Sequence, residues 1–201
     1  MERTIANFSN VHEGKRLFIL ASGQSLNDLD LSKLKNKLTM ELNRSGLIYP
    51  DAKYHCAMDQ RLFVQYKELM SRPPTLFTLE NCPWGIPLKL LGSEGFSQDL
   101  TKGIYSGYTI SYFALQLAIY MGFEEIIYLG LDLCHTSGHT HFFGTDYCSK
   151  NHEQTEFPKM IKIITYASKV LADKKCKVFN CSPVSTLQAF PKISYDEAVK
   201  R

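Results

Sequence analysis

Arg16-Leu17-Phe18-Ile19-Leu20-Ala21-Ser22-Gly23 is a short apolar run that stops on two small residues. A run without polar alternation reads as a strand buried on both faces, which is the signature of a parallel sheet. The same grammar recurs along the chain. Leu38 to Asn43 is a second candidate strand, alternating less cleanly, and Tyr54-His55-Cys56-Ala57-Met58-Asp59 is a third. Thr75 to Leu79, Glu125 to Gly130 (running into Leu131-Asp132) and Lys177 to Asn180 complete the set. Helical spacing lies between them. Arg61 to Met70 places Leu62, Phe63, Tyr66, Leu69 and Met70 on one face, and Pro73-Pro74 stops it. Tyr108 to Met121 is apolar nearly all round, so it reads as a central buried helix with Gly122 as its stop. Phe157 to Leu171 is amphipathic, and Asp196 to Lys200 is a terminal helical turn. Strands alternating with helices predict an α/β fold. The sheet is expected to be doubly wound, Rossmann-like and mostly parallel, with helices on both faces in a single domain. Its site should lie at the C-terminal ends of the strands.

Composition narrows the function. A chain of 201 residues suits one medium domain. With 44% hydrophobic residues it has enough apolar surface to offset the entropy of ordering, which excludes disorder as the main state. A net charge of +3 gives no argument for a nucleic-acid partner. Met1-Glu2-Arg3-Thr4 shows no secretory signal, so a cytoplasmic protein with reduced thiols is expected. The apolar stretch from Ile110 to Leu133 is interrupted by Gly122, Glu124, Glu125 and Gly130, and reads as helix plus strand, not a transmembrane segment. The cysteines contain no Cys-x-x-Cys pair, which disfavours a zinc ribbon or a thioredoxin-type site. Residues 80–102, rich in Gly, Pro and Ser, and the His-rich residues 134–154 read as long surface loops or lids.

Four groups of residues could carry chemistry. In the turn after the first strand, Gly23 lets backbone N–H groups approach an anion, and Ser22 and Ser25 add donors. This turn is neither Walker A nor Gly-x-Gly-x-x-Gly, and a plain strand-to-helix turn fits it too. Ser106-Gly107 precedes the central helix, where Ser106 can act as a cap and the helix dipole favours an anion. Asn43-Arg44 and Asp59 fall at strand ends. Asn and Asp suit sugar hydroxyls or a base edge, and Arg44 suits phosphate. Asp132 is followed by Cys134, His135, His139, His141, Cys148 and His152. Their spacing matches no zinc module, so acid/base work by one histidine is favoured over a metal site. Spacing alone does not select which histidine. Tyr105, Tyr108, Tyr112 and Tyr128 read as core or pocket wall.

The order of these motifs resembles the MptE-like (DUF115) family, which includes archaeal 6-hydroxymethylpterin diphosphokinases and the central domain of motility-associated flagellin glycosyltransferases. The resemblance rests on Phe18 to Leu26, Tyr49-Pro50-Asp51 with Met58-Asp59, Ser106-Gly107, Met121 to Leu133 and Thr140-His141-Phe142. The same order is similar to the CMP-sialic acid-dependent sialyltransferases of glycosyltransferase family 42. Those enzymes place a catalytic histidine in a His-aromatic-x-Gly context, here His141-Phe142-Phe143-Gly144. The resemblance implies that His141 is a general base. It also implies that Ser22, Gly23, Ser25, Asn43, Ser106 and Gly107 line a nucleotide; Gln24 in the same turn and the strand-end residues Arg44, Asp59 and Asp132 are candidates beside them. Ser182 joins them through the late segment Cys181-Ser182-Pro183. Gln24 stands where both groups usually have proline. Cys134 stands where the sialyltransferases have a phosphate-binding tyrosine, for which Tyr147 could substitute.

The expected activity is transfer from a nucleotide-activated donor, such as a CMP-sugar, to a glycan or small-molecule acceptor. No metal or further cofactor is required for it, and a role in cell-surface glycan biosynthesis is implied. One alternative is a diphosphokinase that moves pyrophosphate from ATP to a hydroxymethylpterin-type acceptor, with Mg held by Asp59 and Asp132. The other is a non-catalytic nucleotide-binding module. Assembly into a homo-oligomer is left open.

Overall fold

The computed structural model describes residues 3–72, 75–134, 139–144 and 150–201. Its strands are β1 (Arg16–Leu20), β2 (Thr39–Leu42), β3 (Tyr54–Cys56), β4 (Thr75–Leu79), β5 (Ile86–Leu88), β6 (Leu90–Gly92), β7 (Ile104–Tyr105), β8 (Glu125–Leu129) and β9 (Lys177–Asn180). Its α-helices are α1 (Gln60–Gln65), α2 (Lys67–Ser71), α3 (Ile110–Tyr120), α4 (Lys150–Val170) and α5 (Tyr195–Lys200). Seven strands form one sheet in the order β5-β4-β3-β2-β1-β8-β9, and every pairing in it is parallel. The fold is therefore the α/β, doubly wound, single-domain architecture that the apolar runs predict.

Side-chain alternation along β1 splits the core. Leu17 and Ile19 share a cluster with Phe113 and Leu117 of α3 and Ile164 and Ala167 of α4. Phe18 and Leu20 pack on the other face with Leu26, Leu34, Tyr195 and Ala198. Both faces are covered, as a parallel sheet requires. The chain winds outward from β1 through β2 to β5, then returns to place β8 against the opposite edge of β1. Leu20 and Leu129 stand level in that pairing. Ala21-Ser22-Gly23 and Gly130-Leu131-Asp132 thus leave the sheet side by side at the point where strand order reverses. Such switch points are where open α/β sheets hold ligands.

Several expectations need correction. The helix expected from Arg61 to Met70 is two short helices, broken at Tyr66 (φ −125°, ψ 46°). Pro73-Pro74 lies outside the described residues. Residues 80–102 are not one surface loop. They supply edge strand β5 and β6, and β6 pairs with β7. Pro87 hid β5, because proline removes a ladder donor; at a sheet edge that loss is tolerated. Helix α4 begins at Lys150 and carries Pro158 inside it, so a start at Phe157 is too late and the second excursion is shorter than expected.

Gln116 ties Ser97 and Tyr105, at the two ends of a partly buried segment, to α3. Its side chain is fully buried in α3. Oε1 accepts from the N–H groups of Ser97 (3.0 Å) and Tyr105 (3.3 Å), and Nε2 donates to the Tyr105 carbonyl (2.8 Å). Gln116→Leu keeps the volume but strands these backbone groups. Denaturant unfolding should show a loss of about 2 to 4 kcal/mol. A loss below about 0.5 kcal/mol would mean that the amide does not hold the segment.

Candidate functional site

A cavity of about 370 Å³ opens at the switch point, a size ordinary for small-molecule sites. Three segments wall it: the turn after β1 (Ser22, Gly23), the segment after β8 (Asp132, Leu133) and the start of α3 (Thr109, Ser111). Asn43, Asp59 and His141 also line it. A smaller chamber of about 50 Å³ shares Ser22, Asn43, Asp59 and His141 and adds Arg44, Arg61 and Phe143. His141 therefore borders both spaces.

The turn after β1 is built around a buried carboxylate. Asp132 is 2% exposed; its Oδ2 accepts from the Ser25 N–H (2.9 Å) and its Oδ1 from the Ser25 hydroxyl (2.5 Å). Gly23 donates its N–H to the Gly130 carbonyl at 2.8 Å. A Cβ on Gly23 would overlap both the Asp132 carboxyl and the Gly130 carbonyl, so only glycine fits there. Asp132 already occupies the anion position that the turn offers. Ser25 is thereby spent on the protein and does not line the cavity.

The segment bearing His141 is seated mainly by backbone bonds. His141 and Gly144 exchange N–H···O bonds at 3.3 and 3.0 Å, closing a tight turn over Phe142-Phe143. Gly144, at φ +99°, supplies a conformation that side chains resist. The Phe142 N–H donates to the Ser22 carbonyl at 2.9 Å, and Asn27 Nδ2 donates to the Phe142 carbonyl at 3.1 Å. An antiparallel bridge also joins Gly23 to His141. The imidazole stacks on Phe143 (centroids 4.8 Å, 15°), and the Arg44 guanidinium lies 3.7 Å from the same ring centroid. These contacts help to hold the ring where it borders both spaces.

Among the other histidine-segment residues, His139 is exposed and lines neither space. His135, Tyr147 and Cys148 lie outside the described residues. Cys134 points its thiol at the Val184 carbonyl (3.3 Å).

Two further expectations fail on geometry. Thr109, not Ser106, caps α3, accepting from the Ser111 N–H at 3.3 Å. The N–H groups of Ser106 and Gly107 donate to the carbonyls of Gly92 (2.9 Å) and Ser93 (3.0 Å), which turns them away from any ligand. Left-handed backbone at Gly107 and Tyr108 (φ +58° and +61°) delays the helix start, which is why the cap falls later than a serine-before-helix pattern suggests. Gln24 and Ser182 also miss the lining. The Ser182 N–H is bonded to Asn180 Oδ1 at 3.0 Å, and its residue is 1% exposed. Sequence reasoning missed Met58, Glu156, Phe157 and Met160 of the lining; the last three sit on the inward face of α4. For Phe157 and Met160 the signal was the amphipathic pattern, which marks a buried face without separating core from pocket; Met58 and Glu156 lie outside it.

Asp59 and Asp132 do not suit a shared magnesium. Both Asp59 oxygens take Arg61 donors at 2.6 to 3.1 Å, which holds its carboxyl below the usual range, and both Asp132 oxygens take Ser25. Among the described residues no cluster of three or more His, Cys, Asp or Glu side chains is placed to hold a metal ion. Among them, too, no helix is long and apolar enough to cross a membrane.

Fold and crevice together define an α/β chain with a cavity at its switch point. Compared with solved structures, the chain is similar to the sialyltransferase CstII from Campylobacter jejuni in complex with cytidine-5'-monophosphate. Identity is 15%, with a TM-score of 0.51, over 90% of this chain and 86% of that one. The same enzyme in complex with CMP-3FNeuAc gives 16% identity and a TM-score of 0.49 over the same shares. At this identity the likeness shows the fold alone. No protein-family profile and no curated protein matches the sequence.

Proposed function

We propose that this chain is a nucleotide-sugar-dependent glycosyltransferase with His141 as general base. The observation that carries the reading is convergence: the Ser22-Gly23 turn, the start of α3 and His141 face one cavity at the switch point. The fold likeness to a sialyltransferase with bound CMP supports a cytidine nucleotide as the donor's handle.

In this reading the donor's phosphate lies against the first turn of α3, whose dipole favours negative charge. His141 takes the proton from the acceptor hydroxyl. The acceptor oxygen bonds to the anomeric carbon as the bond from that carbon to the phosphate oxygen breaks. The electron pair leaves on the phosphate, where fixed dipoles stabilise the developing charge without reorganising. Asn43 and Asp59 stand where a ribose or base edge can be read.

A thermal-shift series with CMP, UDP, ADP and ATP, with and without magnesium, tests the reading. CMP at a hundredfold excess over its Kd should add about 2.7 kcal/mol, or roughly 5 to 10 °C in Tm, without magnesium. A shift with magnesium-ATP alone would replace the reading with pyrophosphoryl transfer. No shift with any nucleotide would overturn it.

A further inference from the structure

Beneath Asn43 lies a polar chain that the transfer chemistry does not use. Glu41 on β2 is fully buried, and His55 on β3 is 1% exposed. Arg72, just after α2, donates from one nitrogen to both Glu41 oxygens at 2.5 Å. His55 Nδ1 lies 3.2 Å from Glu41 Oε1, and His55 Nε2 lies 2.9 Å from the Asn43 carbonyl. Asn43 itself holds a left-handed backbone (φ +52°), donates its N–H to the Cys56 carbonyl at 2.9 Å, and lines both chambers of the site.

Proton counting makes this chain unusual. A carbonyl only accepts, so the Asn43 contact requires a proton on Nε2. A neutral imidazole has then no proton left for Nδ1, which faces a carboxyl oxygen. Both contacts are hydrogen bonds only if the pair holds one more proton, on Glu41 or on the ring. Without it, the single ring proton serves either Glu41 or Asn43.

We propose that Glu41 and His55 form a one-proton clamp that holds the Asn43 backbone in the shape the donor pocket needs, making both of them positioning residues. The proposal rests on the nucleotide-site reading for its ligand but not for the clamp itself.

Burial, against the pull of Arg72, raises the Glu41 carboxyl from 4.5 to about 7. Burial, with Arg72 adding to it and the Asn43 bond opposing it, lowers His55 from 6.5 to about 4. Cys56 on β3, its thiol pushed up by burial and by Glu41, is a further titratable group beside them. The signs follow. Between about 4.5 and 6.5 the unfolded pair carries one proton (on His) and the folded pair carries one (on Glu), so the pair adds no pH dependence to stability. Above about 6.5 the unfolded pair loses its proton first, so the pair's contribution to stability falls as pH rises through about 7. The clamp on Asn43 is released over the same range.

Amide hydrogen exchange, corrected for intrinsic rates, and CMP titration calorimetry from pH 6 to 8.5 test the clamp. In the wild type, protection of the Asn43 amide and CMP affinity should each fall about tenfold, the worth of one hydrogen bond. Glu41→Gln, whose amide donates to Nδ1 at every pH, should flatten both profiles. His55→Phe should lower Asn43 protection at all pH values. His55→Gln, which keeps a donor near the Nε2 position, should restore it. Protection of the Ile127 amide in β8 reports whether each variant stays folded. Asn43 protection that is flat with pH in the wild type and unaltered by His55→Phe would overturn the clamp. Expected protection changes without any CMP binding would leave the clamp standing and end the nucleotide reading.

Discussion

Asp132→Ala should lower the unfolding free energy by about 3 to 5 kcal/mol, measured by denaturant unfolding. Two donors of Ser25, its N–H and its hydroxyl, end on this one buried carboxylate. Deleting the acceptor leaves both without a partner, at about 1 to 3 kcal/mol each, and removes packing between the turn after β1 and the segment after β8. Asp132→Asn keeps one acceptor oxygen and should lose about half as much. Ser25→Ala combined with Asp132→Ala should cost less than the sum of the two single changes, because both break one contact. Strict additivity, or a loss below about 1 kcal/mol for Asp132→Ala, would show that the link contributes little. The neighbouring glycine obeys the same geometry, since the Asp132 carboxyl fills the volume a Cβ at Gly23 would need.

His141→Ala should reduce turnover about a hundred- to ten-thousandfold, the usual worth of a positioned general base, while CMP affinity stays within about threefold. The separation is expected because backbone atoms of His141 and Phe142 tie the turn to Ser22 and Gly23. Removing the ring leaves the cavity wall in place. Single-turnover kinetics with a nucleotide sugar, beside calorimetry with CMP, checks both halves. Turnover that survives the substitution would remove His141 from its role. Equal losses of turnover and CMP affinity would make it a binding residue instead.

How much of this was legible varies with the range of the interaction. The run from Arg16 to Ala21 states its own burial, because strand side chains alternate and both faces here are apolar. That β1 and β8 are buried strands is written in their apolar runs, but that they lie side by side is not, because six strands come between them in the chain. β5 was hidden because Pro87 breaks the local rule for strands and only its edge position excuses it. Ser25 reads as a ligand donor until Asp132, 107 residues away, is seen to occupy it. Ser106 reads as a cap because the left-handed pair Gly107-Tyr108 leaves no local mark beyond one glycine. Glu41, in a strand whose residues are all buried, gives no sequence sign that its carboxyl will meet Arg72 and His55. Its partners come from different elements, and spacing within β2 says nothing about them.

The tight turn from His141 to Gly144 bears on how such a protein can diversify. Main-chain atoms do not change when codons do, so the histidine's seat is insulated from most point substitutions around it. What natural selection must guard in that turn is the number of residues between His141 and Gly144, together with an aromatic ring at Phe143 for the imidazole to stack on.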